Sequence, residues 1–136
     1  MIRAVLDTNV LMSGIFWSGP PSVILQSWQM SKFKLIISPD ILNEYFRVGE
    51  ILSQKYPGID VSPIIDLIAI KSELYSPIML EQPISRDPDD EKFIATCLAA
   101  NCKIIISGDK DQLDISGYKD IQVFKPSYFV TTFLHT

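Results

Sequence analysis

The chain has 136 residues, of which 47% are hydrophobic and 21% are charged. This length and composition predict a single folded domain over residues 1–136 and exclude a disordered protein. The formal net charge of −4 at pH 7 argues against a protein that binds nucleic acid mainly through a large basic surface.

The apolar segments indicate neither a membrane span nor a leader peptide. No apolar stretch approaches the roughly 20 residues that cross a bilayer. Asp7 interrupts the first apolar segment before it reaches the length of a signal peptide. The sequence therefore predicts a cytoplasmic protein with no membrane partner, in which Cys97 and Cys102 are reduced thiols.

In the first half of the chain, apolar runs alternate with longer amphipathic stretches. Ser38 can cap a helix and Pro39 suits the first helical position, while Tyr56-Pro57-Gly58 ends the same helix. The predicted elements are a strand, a helix, a second strand and a second helix, in the order Ile2–Leu6, Pro21 to about Met30, Phe33–Ile37, and Pro39 to about Lys55.

The second half of the chain repeats the alternation. Ser62-Pro63 has the same cap-and-proline signature as Ser38-Pro39, and Ser107-Gly108 bounds a continuous apolar strand. The predicted elements are a helix, an extended loop, a helix, two strands and a last helix, in the order Ile64 to about Tyr75, Pro77–Pro83, Asp87-Pro88 to near Asn101, Lys103–Ile106, Gln122–Phe124 and Ser127–Leu134.

Strands that are separated by helices predict parallel pairing through right-handed crossovers. Near-continuous apolar strands predict a sheet that is covered on both faces. The expected fold class is therefore α/β, with three layers in an α/β/α sandwich. In such folds a ligand binds outside the carboxyl ends of the strands, where the strand order reverses.

Acidic side chains follow two of the predicted strands directly. Asp7 ends the first apolar run and is followed by the polar pair Thr8 and Asn9, although a charge at the mouth of a buried strand is costly without compensation. Asp109 follows the strand that ends at Ile106, in a Ser-Gly-Asp turn where turn chemistry alone could account for it. Both carboxylates are expected at the ligand-binding edge of the sheet.

Two further acids lie beside the apolar stripes of predicted helices. Glu44 falls on the edge of its helix's stripe, which comprises Ile41, Tyr45, Val48, Ile51 and Leu52. A lysine or arginine partner for Glu44 is the alternative to a functional role. Asp90 heads the stripe of the helix after Asp87-Pro88, where an acid is also favoured by the helix dipole.

The four carboxylates Asp7, Glu44, Asp90 and Asp109 are thus predicted at one end of one sheet. Carboxylates that lie close together repel and cannot all stay ionised unaided. A hard divalent cation resolves this conflict, and oxygen ligands suit Mg²⁺ or Mn²⁺. Such a site is typical of phosphoryl chemistry, in which a metal activates water and stabilises a leaving oxygen.

The single histidine of the sequence, His135, stands next to the last residue. A Ser-His-Asp or Cys-His enzyme would have to use that side chain. A zinc site built from cysteine and histidine is equally poorly supplied. The composition therefore favours chemistry carried by carboxylates.

In combination and order, these motifs resemble the PIN domain family, and more closely its prokaryotic members that act as toxins of toxin–antitoxin pairs. The motifs are Asp7-Thr-Asn-Val-Leu after the first strand, Glu44 on the following helix, Asp90 in DPDDEKFIATCLAA and Asp109 in IISGDKDQL. The likeness runs over nearly the whole chain.

The resemblance implies a parallel five-stranded sheet flanked by helices. It also implies a metal-dependent endoribonuclease whose Mg²⁺ or Mn²⁺ is held by acids at Asp7, Glu44, Asp90 and Asp109, with Thr8, Asn9 and Ser38 as supporting polar positions. Water would attack an RNA phosphodiester and leave a 5′-phosphate. A homodimer and a neighbouring antitoxin protein are the expected partners.

The acidic cluster leaves two assignments open. Asp87 is the second choice after Asp90, and Asp111 could share or replace part of the role of Asp109. Arg86 and Lys110 flank these acids and could meet a phosphate, although an ordinary solvated charge explains each of them as well.

Three other interpretations compete with a nuclease. A phosphatase of haloacid-dehalogenase type also begins with an acid after a strand, but it needs a second acid where this chain has Asn9, and an amide cannot transfer that proton. A domain that binds RNA or a partner without catalysis is the second, because fold does not imply activity. The third is an α/β domain whose acids are only caps and turns.

Two aromatic residues, Phe16 and Trp17, precede the first predicted helix, and a third, Trp28, lies within it. Phe16, Trp17 and Trp28 could serve a dimer or a partner, but aromatic side chains more often pack inside. We expect all three in the core.

Overall fold

The structure is a computed structural model that describes residues 1–134. His135 lies outside the described residues. Five strands form one sheet in the order β3-β2-β1-β4-β5, and every neighbouring pair is parallel. The strands are β1 (Arg3–Leu6), β2 (Lys34–Ile37), β3 (Glu73–Leu74), β4 (Ile104–Ile106) and β5 (Gln122–Phe124).

Seven α-helices flank this sheet within residues 1–134. Short 3₁₀ turns cover Pro88–Asp90 and Tyr118–Asp120, and a π-helical turn covers Val130–Leu134. The helices are α1 (Thr8–Phe16), α2 (Pro20–Gln29), α3 (Pro39–Lys55), α4 (Ser62–Lys71), α5 (Glu91–Ala100), α6 (Lys110–Asp114) and α7 (Pro126–Phe129).

The core covers both faces of the central strands. All inward and outward side chains of β1 from Ala4 to Leu6 are buried, as are Ile36 and Ile37 of β2. Cys97 and Cys102 are buried as free thiols at the end of α5. Because alternate strand residues point to opposite faces, this burial requires a helical layer on each side. The predicted three-layer α/β fold with a five-stranded parallel sheet is confirmed.

The structure corrects the sequence prediction in the region of α4. The predicted helix to Tyr75 ends at Lys71, and Glu73–Leu74 form the edge strand β3 instead. Ser62 is the first helical residue rather than the cap, and its backbone N–H donates to Asp60. Two residues are too few to give a strand pattern in the sequence.

Helix α1 begins directly after Asp7 and has no counterpart among the predicted elements. It packs against α2 and α3, and Gly14 makes the approach to α2 possible. A Cβ atom at Gly14 would lie 2.7 Å from the carbonyl oxygen of Pro21. The carboxyl end of β1 and the first turn of α1 thus form one continuous, fixed segment.

The aromatic residues divide between core and surface. Trp28 is 1% exposed, as expected, and Phe16 is half-buried. The prediction was wrong for Trp17, whose exposed fraction is 50%, because α1 ends at Phe16 and leaves Trp17 beyond its packed face. Ile51, assigned to the buried stripe of α3, is likewise 56% exposed.

In the part of the chain that the structure describes, none of the helices has the length and apolar character that a bilayer crossing requires.

We predict that Gly14→Ala destabilises the protein although alanine is the better helix former. The new methyl group meets backbone of α2, and such overpacking costs about 1–3 kcal/mol, against a helix-propensity gain of about 1 kcal/mol. Urea unfolding followed by circular dichroism measures the difference. Gly58→Ala is the control, because a Cβ there has nothing within 4 Å. Equal stability of the Gly14 variant and wild type would contradict the close α1–α2 contact.

Candidate metal centre

Asp7 sits where β1 ends and α1 begins. Its backbone N–H continues the sheet by donating to the carbonyl of Ile106 at 3.0 Å. Its side chain is buried, and Ser107 Oγ donates to Asp7 Oδ2 at 2.6 Å. The carboxylate is therefore compensated by a hydroxyl from the neighbouring strand end, as a buried charge requires.

Ser107 also fixes the next acid. The backbone N–H of Asp109 donates to Ser107 Oγ at 3.0 Å, so one buried hydroxyl bridges the ends of β1 and β4. Asp109 then caps α6 by accepting a hydrogen bond from the N–H of Asp111 at 2.9 Å. Strand order reverses between β1 and β4, so both acids stand at the switch point of the sheet.

Asp87 and Asp90 come from the turn that leads into α5. Asp87 is the N-cap of the turn Pro88–Asp90, and its Oδ1 accepts from the N–H of Asp89 at 3.0 Å. Asp90 is buried, and Ser85 Oγ donates to its Oδ2 at 3.0 Å. Asp89 is exposed and also lines the cleft, so the expectation from helix geometry that it points away from the site was wrong.

Three of these carboxylates form a group that fits one hard cation. Asp87, Asp90 and Asp109 each offer an oxygen, and these oxygens all lie within 4.8 Å of one another. Two oxygen ligands on opposite sides of one Mg²⁺ or Ca²⁺-sized ion lie about 4–5 Å apart, since each bond is about 2.0–2.6 Å long. The donor set is all oxygen, which Mg²⁺ and Mn²⁺ prefer.

Glu44 lies near this group but is held by other partners. Lys92 Nζ donates to Glu44 Oε1 at 2.6 Å, and Arg47 lies 3.8 Å from the same oxygen. Thr8 Oγ1 donates to the other carboxylate oxygen, Oε2. The basic partner considered for Glu44 from the sequence is thus present, and Asp87 takes the place beside Asp90 and Asp109.

Burial and mutual repulsion disturb the titration of two of the acids. Burial raises the pKa of Asp90 to about 6, the hydrogen bond from Ser85 opposes the rise, and the charges of Asp109 and Asp7 add to it. Burial also raises the pKa of Asp7, against the hydrogen bond from Ser107. The metal-free protein therefore holds negative charge at this site against a cost.

The acids line one cleft, with a volume of about 210 Å³. Asp7, Thr8, Asn9, Glu44, Asp87, Asp90 and Asp109 all contribute to it. Arg47 is the only cation that lines it among residues 1–134.

Four residues considered from the sequence lie outside the cleft, namely Ser38, Arg86, Lys110 and Asp111. Ser38 is buried and caps α3 by accepting from the N–H of Ile41. Arg86 forms ion pairs with Asp111 and Asp114, so these charges neutralise one another outside the cleft. Lys110 begins α6 and is exposed.

Sequence reasoning missed the residues that hold the acids in place. Ser107 and Ser85 donate to Asp7 and Asp90, and Lys92 and Arg47 face Glu44. The serines resemble ordinary turn residues in the sequence. Only the contact of Arg47 with Glu44 could have been predicted from the sequence, since Arg47 stands one turn after Glu44 on the same helix.

The model of one protein family, described as PIN domain, matches residues 3–111. This range includes all the acids of the cleft. No curated protein matches the chain.

We predict that Asp90→Asn removes part of the pH dependence of stability in metal-free protein. The pKa of Asp90 is about 6 in the fold, against 3.8 for an ordinary aspartate. The folded state therefore keeps a proton that the unfolded chain releases, and the free energy of unfolding falls as the pH rises from about 4 to about 6. The variant avoids this loss and should be more stable than wild type by about 1–3 kcal/mol at neutral pH.

Urea denaturation in EDTA at about pH 4 and at neutral pH measures this effect, since the gain is confined to the higher pH. Asp66→Asn, which changes an exposed acid on α4, is the matched control. An Asp90 variant that is no more stable than wild type at neutral pH would contradict the raised pKa.

Proposed function

The chain belongs to the PIN domain family, whose members are typically metal-dependent nucleases, and we propose that it is an endoribonuclease that acts as the toxin of a toxin–antitoxin pair. The observation that carries this proposal is the group of Asp87, Asp90 and Asp109 at the switch point of the sheet, with Asp7 beside it.

In this proposal Asp87, Asp90 and Asp109 would hold Mg²⁺ or Mn²⁺, with Asp7 beside them in the cleft. When bound, the cation would supply a water of lowered pKa and would stabilise negative charge on the phosphodiester. Its positive charge would also offset the burial and the mutual repulsion that raise the pKa values of Asp7 and Asp90. The protein's own contribution is to fix these carboxylates before substrate arrives.

Glu44 has a positioning role in this scheme. Both of its oxygens already accept hydrogen bonds, from Lys92 and from Thr8, so its carboxylate is oriented without a metal. Such a fixed acceptor at the cleft wall can orient the attacking water. Arg47, on the same wall, is the side chain best placed to meet the phosphate.

The biological setting is proposed on the likeness of the motifs to prokaryotic PIN toxins. We propose a cytoplasmic homodimer that cleaves RNA and is silenced by an antitoxin protein. The match to the PIN domain over residues 3–111 supports this proposal over a phosphatase of haloacid-dehalogenase type. The position where that phosphatase needs a second acid is Asn9, an exposed amide at the cleft.

We predict that the purified protein cleaves a mixed RNA pool with Mn²⁺ or Mg²⁺ and leaves 5′-phosphate ends. Asp7→Asn and EDTA should each lower the rate by more than about 100-fold, because both act on the charge of the metal site. Gel electrophoresis and end-group analysis of the products provide the measurement.

Asp66→Asn serves as the control for this assay, because it removes one exposed acid outside the cleft. Products with a 2′,3′-cyclic phosphate would contradict attack by water, since the ribose hydroxyl would then be the nucleophile. Binding of metal and RNA without any cutting would favour the non-catalytic domain instead.

We predict that metal affinity and catalytic rate respond differently at Glu44 and Asp87. Asp87→Asn should weaken Mn²⁺ binding at least about tenfold, because Asp87 belongs to the three-carboxylate group. Glu44→Gln should leave Mn²⁺ affinity within about threefold, because Lys92 and Thr8 already occupy its oxygens. It should lower the cleavage rate instead, because Glu44 orients the attacking water in this scheme. Calorimetric Mn²⁺ titration beside the cleavage assay separates the two. A larger loss of affinity in Glu44→Gln than in Asp87→Asn would reverse the assignment.

A further inference from the structure

Three aromatic side chains cluster where α1 and α3 end. The ring centroids of Phe16 and Trp17 are 5.9 Å apart, those of Phe16 and Tyr56 are 6.0 Å apart, and those of Trp17 and Tyr56 are 5.7 Å apart with an edge-to-face angle of 82°. Trp17 and Tyr56 remain exposed. Trp17 and Tyr56 thus form a pre-assembled aromatic surface, and Phe16 connects it to the core.

Helix α1 leads from the acid cleft to this cluster. Asn9, which lines the cleft, Ser13 and Phe16 follow one another at helical spacing, and all three keep some exposure. Thr8 and Gly14 point instead to α3 and α2, as the Glu44 bond and the Pro21 contact show. The stripe from Asn9 to Phe16 therefore forms a continuous accessible edge about 10 Å long.

Helix α3 provides a parallel edge with positive charge. Arg47, Ile51 and Lys55 stand four residues apart, all three are exposed, and Arg47 lines the cleft. Lys55 Nζ lies 5.6 Å from the ring centroid of Tyr56, which brings a cation to the aromatic cluster. From Arg47 to Lys55 the edge is about 12 Å long. At about 3.4 Å per stacked nucleotide, this spans roughly three nucleotides.

We propose that these two edges, here called the aromatic–basic track, bind single-stranded RNA and lead it into the acid cleft. The track comprises Phe16, Trp17, Arg47, Ile51, Lys55 and Tyr56. Bases stack on Trp17 and Tyr56, while Arg47 and Lys55 meet phosphates. This inference rests on the proposed nuclease function and adds the surface by which this chain binds the strand outside the cleft.

Charge decides between RNA and a protein partner for this surface. An apolar protein face laid over the track would have to desolvate Lys55, and Arg47 beside Glu44, without adding a counter-charge, whereas phosphates supply one. Continuity with the cleft also favours the strand that is cut there. In a chain of net charge −4, stacking provides affinity that a basic surface does not.

Intrinsic fluorescence tests the track directly, because the two tryptophans differ in exposure. Trp17 is 50% exposed on the track and Trp28 is 1% exposed in the core. A short mixed-sequence RNA, titrated in EDTA so that it stays intact, should quench the emission of Trp17. The same RNA annealed to its complement should quench much less, because paired bases cannot stack on the ring. Trp17→Phe retains only the Trp28 emission, which should not respond.

Substitutions then measure the contribution of the track. Tyr56→Ala and Lys55→Gln should each weaken RNA binding about five- to tenfold, measured by anisotropy of labelled RNA. Tyr128→Ala is the matched control, since Tyr128 is 51% exposed on α7 and packs against Phe124. Urea unfolding confirms that each variant is folded.

The possible results separate this inference from the proposed function. Cleavage of RNA by wild type, with flat Trp17 emission and unchanged affinity in Tyr56→Ala, would overturn the track and leave the nuclease standing. Quenching by single strands without any cleavage would support the track and contradict the nuclease. Unchanged RNA affinity together with loss of self-association in Tyr56→Ala, seen by sedimentation, would overturn the track in favour of a subunit interface.

Discussion

Repulsion among buried carboxylates is the constraint on which the rest of this structure depends. Asp7 and Asp90 lie within one cleft with Asp109, and both have raised pKa values because burial and neighbouring negative charge disfavour ionisation. The parallel sheet brings them together, since the carboxyl ends of β1 and β4 are adjacent where the strand order reverses. Ser107 and Ser85 then lower the cost with one hydrogen bond each. The packing of the hydrophobic sheet therefore has to hold the carboxylates together against their mutual repulsion.

The same constraint explains why stability and function compete at this site. A fold without Asp7 and Asp90 would be more stable in the absence of metal, because these two buried carboxylates would no longer have to be ionised inside the protein. A divalent cation that binds only the folded arrangement would reverse the sign of this effect. Glu44 is treated differently, since Lys92 neutralises it within the protein. The cleft thus contains two kinds of carboxylate. Asp87, Asp90 and Asp109 form a group that fits a cation, whereas Glu44 is paired with Lys92.

Strong local patterns made most of the fold predictable from the sequence, and weak ones account for the misses. Four strands and the helix Pro39–Lys55 carried apolar runs or cap signals of ordinary strength. Helix α1 did not, because its polar start and Gly14 resemble a loop, and only the contact with α2 explains the glycine. Strand β3 has two residues and is defined by its pairing with β2. The choice of Asp87 beside Asp90 depends on a capping geometry that residue spacing does not contain.

The negative net charge of the chain explains why the proposed function would need both the acid cleft and the aromatic–basic track. RNA is a polyanion, and a protein of net charge −4 repels it at long range. For the proposed nuclease, attraction must therefore be local, and residues 1–134 offer a carboxylate group that fits a cation, Arg47 at the cleft, and aromatic rings beside Lys55. Stacking on Trp17 and Tyr56 does not release counterions, so a protein that depends on it can bind a strand with few phosphate contacts. An acidic protein that binds RNA by stacking requires unpaired bases. Its negative net charge, which leaves stacking as the main source of affinity, would therefore also make it select single strands.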